Sequence, residues 1–142
     1  MTLERYIRPV VQAALGTSVI EAARVMREKR VGCLVVVREG RPVGVVTDRD
    51  LALRVLAEGR DPRTSTVADI VTYDPIVVGV GDALETALEK MRVHGVRRLP
   101  IVSSEGKVVG VVTADDVMMS FGRGLAQLAE GLESASDVTE SR

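Results

Sequence analysis

The sequence predicts an α/β fold (α+β in some schemes) made of two tandem units, each in the order β-α-β-β-α. A stretch that occurs twice is the main observation: Val-Gly-Val-Val-Thr-Asp-Arg-Asp in Val43–Asp50 and Val-Gly-Val-Val-Thr-Ala-Asp-Asp in Val109–Asp116. Each copy is an apolar, strand-like run that ends in Thr-x-x-Asp and continues with helical spacing. The copies lie roughly 65 residues apart, which exceeds the roughly 20–50 residues of solenoid repeats. We therefore expect one unit at residues 1–62, a second at 63–122, and a C-terminal helix with a flexible tail at 123–142.

The first unit shows the local signals of each predicted element. Ser18-x-x-Glu21 is a capping box at a helix start. The turn 39–42 contains Gly and Pro and separates two apolar runs, which predicts a β-hairpin. Gly59 is a C-terminal helix stop. The expected elements are a short strand from Val10, a helix from Ser18 to Arg30, strands at Cys33–Val37 and Val43–Val46, and a helix from Asp48 to Glu58.

The second unit repeats this order after the polar linker Arg60–Ser65. Thr66-x-x-Asp69 caps a short helix, Pro75 turns the chain into a strand, and Glu85 caps the next helix. The expected elements are a short helix from Thr66 to Val71, a strand at Ile76–Val78, a helix from Asp82 to His94, strands at Leu99–Val102 and Val108–Val112, and a helix from Ala114 that is either long or broken at Gly122-Arg123-Gly124.

Composition excludes several classes of function. The net charge is −1 and aromatic residues make up 2% of the chain, so neither a phosphate-binding basic surface nor base-stacking platforms are expected. The single cysteine, Cys33, fits a reducing compartment and a buried small hydrophobe. His94 is the only histidine, which gives no signal for a metal site. No apolar run reaches membrane-spanning length, so we expect a cytoplasmic protein that binds neither nucleic acid nor membrane.

The repeated Thr-x-x-Asp has two interpretations. Immediately before a helix it is a capping box, in which the Thr hydroxyl accepts from the Asp backbone N–H and the Asp carboxylate accepts from the Thr N–H. Alternatively, a carboxylate at this turn can accept hydrogen bonds from both hydroxyls of a ribose, beside a helix N-terminus that favours phosphate. Both roles can coexist because a carboxylate has several lone pairs, and the spacing leaves both open.

The tandem β-α-β-β-α order, with Gly-Val-Val-Thr-x-x-Asp closing each unit, resembles a pair of CBS domains, or Bateman module. The resemblance extends from about Val10 to Phe121 and is closest to small stand-alone bacterial CBS-pair proteins. It implies that the units pack through their sheets with pseudo-twofold symmetry. It also implies clefts between them that bind an adenosine-containing ligand such as AMP, ADP, ATP, NAD or S-adenosylmethionine.

The resemblance also implies roles for particular residues. Thr47 and Asp50 would serve one cleft, and Thr113 and Asp116 the other, with each Asp on the ribose hydroxyls. Arg98 is the expected contact for phosphate groups, with Arg97 and Arg49 as further candidates. Ile76 and Val77 are the expected contacts for adenine, and Val10 and Val11 hold the equivalent positions in the first unit. The equivalents of Arg97 and Arg98 in the first unit are Gly32 and Cys33, so the two clefts are not expected to be equivalent.

The sequence therefore predicts a regulatory sensor module, not an enzyme, that requires no cofactor and acts on a separate, unidentified protein. The resemblance implies a homodimer formed through the helices, with Val117, Met118 and Phe121 as candidate contacts. The alternative is a structural or protein-interaction module whose clefts bind nothing. An enzyme has no support in the sequence beyond Cys33.

Overall fold

The computed structural model describes the backbone of residues 2–140 and the side chains of residues 2–136. It contains two mixed sheets with helices in the same order in each unit, which confirms the predicted fold class. In the first unit the elements are β1 (Gln12–Ala13), α1 (Val19–Lys29), β2 (Cys33–Arg38), β3 (Arg41–Thr47) and α2 (Asp48–Asp50, continuing as a π-helix over Leu51–Leu56). In the second they are β4 (Thr72–Tyr73), β5 (Val78–Gly79), α3 (Leu84–His94), β6 (Arg98–Val102), β7 (Val108–Thr113) and α4 (Ala114–Glu140).

Strand pairing follows the predicted hairpins. β1 runs parallel to β2, and β2 and β3 form an antiparallel hairpin; β5, β6 and β7 repeat this arrangement. The predicted strand at Ile76–Val78 begins only at Val78. The helix predicted from Asp82 begins at Leu84, because the Asp82 carboxylate instead accepts a hydrogen bond from the Gly79 N–H at 2.8 Å.

The two cores are built from the same side-chain positions in each unit. In the first, Val19, Ala22 and Met26 of α1 pack in one buried cluster with Leu34 and Val46 of the sheet. The equivalent cluster of the second unit contains Leu84, Ala87, Met91, Leu99 and Val112. Apolar residues recur every three to four positions in the helix and every second position in the strands, and this brings their side chains together in the core, as the pattern predicts.

Two short segments pack crosswise between the units. A 3-10 helix at Leu3–Tyr6 contributes buried side chains to the second core, and Arg8 pairs with Val111 of β7 through two backbone hydrogen bonds of 3.0 Å. Conversely, β4 pairs with β3 of the first sheet. The expected boundaries at 1–62 and 63–122 follow the order of the chain. In space, however, the N-terminal segment packs on the second unit and β4 pairs with the sheet of the first unit.

The glycine of each repeated motif makes this exchange possible. A Cβ atom at Gly44 would lie 2.4 Å from Val71 Cγ2 and 2.6 Å from the Thr72 carbonyl oxygen. At Gly110 it would lie 2.5 Å from Ile7 Cγ2 and 2.9 Å from the Arg8 carbonyl oxygen. Any side chain at these positions would therefore push the crossing segment away from the strand.

Of the two alternatives for the last helix, α4 is long and passes through Gly122-Arg123-Gly124 without a break. Val117, an expected dimer contact, is instead buried in the second core with 2% exposure, so it is not available to a partner. The part of the predicted tail up to Glu140 is helical, and its flexibility stays a prediction; residues 141–142 lie outside the described residues.

Candidate functional site

A cavity of about 300 Å³ lies between the two units. The first unit contributes Val10, Val11, Arg30, Gly32 and Cys33 to its wall. The second unit contributes Arg97, Arg98, Thr113, Asp115 and Asp116, and the crossing segment adds Arg8 and Pro9. This volume is at the lower end of the range of small-molecule sites.

Asp116 presents its carboxylate to this cavity. Its backbone N–H donates to Thr113 Oγ1 at 3.1 Å, so Thr113 caps α4. Asp116 Oδ2 lies 2.6 Å from Arg8 Nε, an ion-pair distance without hydrogen-bond geometry. This oxygen is buried and accepts no hydrogen bond from the part of the chain that the structure describes. Half of the capping box is therefore formed, and an acceptor of the carboxylate is left for another donor.

Asp50 is engaged differently. Its N–H donates to Thr47 Oγ1 at 3.1 Å, and its Oδ2 accepts from the Thr47 N–H at 2.8 Å, which completes the capping box. Its Oδ1 lies 3.7 Å from Arg54 Nε. Thr47, Arg49 and Asp50 do not line the cavity that contains Asp116. Their predicted contacts with a ligand stay a prediction.

Four arginines surround the cavity against two carboxylates, which favours an anionic group within it. Arg97 forms an ion pair with Asp115, and Arg8 forms one with Asp116. Arg98 lies close to the first unit, since a Cβ on Gly32 would lie 3.5 Å from Arg98 Nη2. The same Cβ would lie 3.0 Å from Asp48 Oδ2, so the Asp48 carboxylate also borders Gly32.

Arg30 contributes to the cavity from an unusual backbone conformation. It follows α1 with φ of 56°, in the left-handed region, where the equivalent residue after α3 is Gly95 with φ of 64°. This conformation costs a non-glycine residue roughly 1–2 kcal/mol. Arg30 lines the cavity from this position, two residues before Gly32, the first-unit equivalent of Arg97.

Cys33 lines the cavity as a protonated thiol. Burial raises its pKa above the usual 9.0, Arg98 opposes this, and the carboxylates of Asp50 and Asp48 reinforce it. A thiol held protonated is a poor nucleophile, which agrees with the interpretation of Cys33 as a small buried hydrophobe.

Ile76 and Val77 lie away from this cavity. The Val77 carbonyl oxygen accepts a hydrogen bond from Lys90 Nζ at 2.7 Å. Their first-unit equivalents, Val10 and Val11, do line the cavity with Asp116. The role predicted for Ile76 and Val77 concerns the other cleft and stays a prediction.

Arg8 and Arg30 were not among the site residues expected from the sequence. Two signals could have indicated them. Thr2-Leu3 and Tyr6-Ile7 match Thr66-Val67 and Ile70-Val71, which extends the repeat to the N-terminal segment. Arg30 stands where the second unit has a helix-ending glycine, and a bulky residue at such a position indicates a constraint other than stability.

The CBS domain family model matches residues 4–57 and 67–122. The chain belongs to the CBS domain family. An uncharacterized protein of Methanopyrus kandleri, MK0525, is 35% identical over 112 residues; the match covers 78% of this chain and 57% of that protein.

Solved structures of CBS proteins are also similar. The CBS domain pair of protein MJ0100, in complex with 5′-methylthioadenosine and S-adenosylmethionine, has a TM-score of 0.78 at 26% identity, covering 87% of this chain and 98% of that one. The CBS domain protein PAE2072 of Pyrobaculum aerophilum, complexed with AMP, has a TM-score of 0.70 at 34% identity, covering 77% and 83%. The predicted resemblance to tandem CBS-domain proteins is therefore confirmed.

Two other kinds of functional feature are absent from the described residues. Within residues 2–140, no helix combines the length and apolar character needed to cross a lipid bilayer. Among the same residues, no three His, Cys, Asp or Glu side chains are grouped so as to hold a metal ion.

Proposed function

We propose that this protein is a regulatory sensor that binds an adenosine-containing ligand in the cavity beside Asp116. The observation that carries the proposal is the Asp116 carboxylate on the wall of a cavity of about 300 Å³, where its Oδ2 is held by the ion pair with Arg8 and by no hydrogen bond from the described chain. A ribose diol offers two donors that match such a carboxylate. The similar CBS structures with AMP and with S-adenosylmethionine support the ligand class.

The cavity walls suggest an orientation for the ligand. Val10 and Val11 offer aliphatic packing for adenine, and Asp116 offers acceptors for the ribose. Arg98 and Arg30 then stand where phosphate oxygens would extend, and charge-assisted hydrogen bonds from guanidinium groups are the strong ones. A phosphorylated ligand, AMP, ADP, ATP or NAD, fits this charge better than S-adenosylmethionine, whose sulfonium is cationic.

The ligand must compete with Arg8 for Asp116. The guanidinium is 67% exposed on its side chain, so it can move at little cost, whereas the Asp116 side chain is 16% exposed. Binding of the diol would release Arg8, which is tethered to β7 by its backbone and remains within reach of a phosphate. Ligand binding would thereby reorient the Arg8 side chain while its two backbone hydrogen bonds to Val111 hold the segment in place, which gives the sensor a local structural response.

The regulated target would be a separate, still unidentified protein, and we propose that the sensor itself is not catalytic and acts as a homodimer in the cytoplasm. The protonated thiol of Cys33 supports the absence of nucleophilic catalysis at this site. A second candidate function is a protein-interaction module without a ligand. It is favoured only at the other cleft, where Asp50 Oδ2 closes the capping box and Oδ1 faces Arg54.

Isothermal titration calorimetry with AMP, ADP, ATP, NAD and S-adenosylmethionine tests the proposal. The native protein, freed of co-purified nucleotide, should give saturable binding that Asp116→Ala abolishes or greatly weakens. Asp50→Ala serves as the matched control at the equivalent position. Absence of heat with all five ligands, from protein shown to be folded by circular dichroism, would favour the interaction module instead.

A further inference from the structure

A second concave space, the outer hollow, lies between the N-terminal segment and α4. Its volume is about 420 Å³, and it adjoins the cavity between the two units, because Arg8 and Asp116 line both. Four further polar side chains line the outer hollow but not the cavity between the units: Arg5, Ser120, Arg123 and Gln127. The outer hollow is therefore a separate place on the molecule, with polar groups of its own.

The spacing of the polar residues on α4 puts them on one face of the helix. Asp116, Ser120, Arg123 and Gln127 follow one another at intervals of four, three and four residues. Residues at this spacing lie in a row along a helix, and with a rise of about 1.5 Å per residue the row is roughly 16 Å long. Such a row is ordinarily a solvated surface, but here it forms one wall of a hollow whose other wall is the N-terminal segment.

The opposite wall is held in place by the second unit. Arg5 belongs to the 3-10 helix Leu3–Tyr6, which the second core anchors through two buried side chains. Arg8 is fixed by its two backbone hydrogen bonds to Val111. Because the backbone on both sides is already in position, binding of a ligand in the outer hollow has to order side chains only, which keeps its entropic cost low.

The outer hollow has a surplus of positive charge. Three arginines line it against the single carboxylate of Asp116, which leaves a formal charge of +2 in a chain whose net charge is −1. Arg8 is paired with Asp116, whereas the guanidinium groups of Arg5 and Arg123 have no ion pair or hydrogen bond within the part of the chain that the structure describes. Unpaired cations that line a concave surface concentrate anions there.

We propose that the outer hollow binds a phosphate group, either inorganic phosphate or the phosphate of a small phosphomonoester. A phosphomonoester carries a charge of about −1.5 to −2 near pH 7, which matches the surplus in the hollow. It also presents three acceptor oxygens, one for each guanidinium group, whereas a carboxylate presents two. Ser120 and Gln127 add neutral donors on the wall formed by α4.

Arg8 connects this site with the cavity between the two units. Its Nε lies 2.6 Å from Asp116 Oδ2, and its side chain lines both spaces. A phosphate in the outer hollow gives the Arg8 guanidinium a second anionic partner and weakens its hold on Asp116, which is then free to accept from a ribose. Phosphate should consequently raise the affinity for adenosine, and adenosine should raise the affinity for phosphate by the same factor. This coupling rests on the proposed function, whereas the binding of phosphate does not.

Isothermal titration of the full chain with inorganic phosphate, at constant ionic strength in chloride, tests the site. We expect saturable binding by the native protein, and binding weaker by about tenfold or more for Arg5→Gln/Arg123→Gln, because two charged donors are lost. Arg63→Gln removes the same charge from the linker, where Arg63 pairs with Asp61, and should bind phosphate like the native protein. The same titration with glycerol 3-phosphate shows whether the free anion or a phosphomonoester is the tighter ligand.

Three results would overturn the phosphate site. One is the absence of saturable binding of both compounds by native protein that circular dichroism shows to be folded. Another is equal binding of phosphate by the native protein and by Arg5→Gln/Arg123→Gln. The third is a loss of binding on Arg98→Gln instead, because phosphate would then occupy the cavity between the two units.

Titration with adenosine, which has no phosphate of its own, tests the coupling. In saturating phosphate we expect the native protein to bind adenosine about fivefold more tightly or better. Arg5→Gln/Arg123→Gln should keep the basal affinity for adenosine, because neither arginine lines the cavity between the units, and should show no effect of phosphate. Unchanged or lower adenosine affinity of the native protein in phosphate would overturn the coupling. Absence of adenosine binding, with phosphate binding intact, would overturn the proposed function together with the coupling and leave the outer hollow as a phosphate site.

Discussion

Asp50 and Asp116 occupy equivalent positions in the repeat but make different contacts. The effects of replacing each one on stability and on ligand affinity can be measured. Replacement of Asp50 by Ala removes the hydrogen bond of 2.8 Å to the Thr47 N–H and leaves that donor without its cap. The Thr47 hydroxyl still caps the helix, but a backbone N–H without a partner costs about 1 kcal/mol, and the exposed Arg54 partner adds little. For a chain of this size, we expect the melting temperature of Asp50→Ala to fall by about 2–4 °C.

Asp116→Ala should have the opposite profile. The carboxylate accepts no hydrogen bond from the Thr113 N–H, and its ion pair with the exposed Arg8 contributes at most about 1 kcal/mol, so its loss should lower the melting temperature by no more than about 2 °C. In the ligand complex it would accept from the ribose diol, and each such bond to a charged group contributes about 1.5–3 kcal/mol. Because the ion pair with Arg8 must first be given up, we expect a net loss of about 2 kcal/mol, or roughly thirtyfold in affinity.

The assay is calorimetric titration with AMP paired with thermal unfolding of the same preparations. Asp116→Asn provides a conservative control, because it keeps the shape and one acceptor while removing the charge. Equal loss of affinity in Asp50→Ala and Asp116→Ala, or a melting temperature lowered more by Asp116→Ala, would refute the argument from the capping box.

Three further predictions concern two residues that line the same cavity, Arg30 and Cys33, and the glycine of β7, Gly110. Arg30→Gly should stabilise the fold by roughly 1 kcal/mol, because glycine adopts the left-handed φ of 56° without the strain that a side chain causes. The same substitution should weaken AMP binding several-fold without affecting adenosine binding. Thermal unfolding measures the first effect, and titration with the two ligands measures the second. Gly110→Ala should destabilise the fold by about 1–3 kcal/mol, because its Cβ would lie 2.5 Å from Ile7 Cγ2. Chemical unfolding measures this loss, and Gly81→Ala is the control because the space around Gly81 is open. Cys33 should add pH dependence: with its pKa raised above 9.0 by burial, the unfolded thiol ionises first, so its stabilising contribution is complete below about pH 9 and is lost as the pH rises through the folded pKa. Urea unfolding between pH 7 and 10.5 should therefore show a steeper decline for the native protein than for Cys33→Ser, and equal slopes would contradict it.

The sequence predicts the fold well where the signals are local. Strand and helix order follow from apolar runs, the turn chemistry of Gly40 and Gly106, and helix caps such as Ser18. The crossing of the N-terminal segment onto β7 was not predicted, because the pairing joins residues at opposite ends of the chain and involves only Arg8 and Val111. Two-residue pairings leave almost no pattern in a sequence.

Four of the residues expected to contact a ligand lie together on the wall of one cavity: Thr113, Asp116, Arg97 and Arg98. Their contact with a ligand stays a prediction. Asp116 pairs with Arg8 whereas Asp50 closes its capping box, and the spacing of Thr-x-x-Asp, which is the same in both units, does not distinguish the two.

The exchange of segments also has a consequence for the order of folding. The first sheet can form once the chain has been synthesised as far as Tyr73, since all four of its strands lie before that point. Leu3 and Tyr6 precede the first unit in the chain, yet they pack in the core of the second unit, whose strand β7 is synthesised after the whole first unit. These residues must wait until β7 has been made, and the Arg8–Asp116 pair forms only after that. Completion of the cavity thus requires the synthesis of both units.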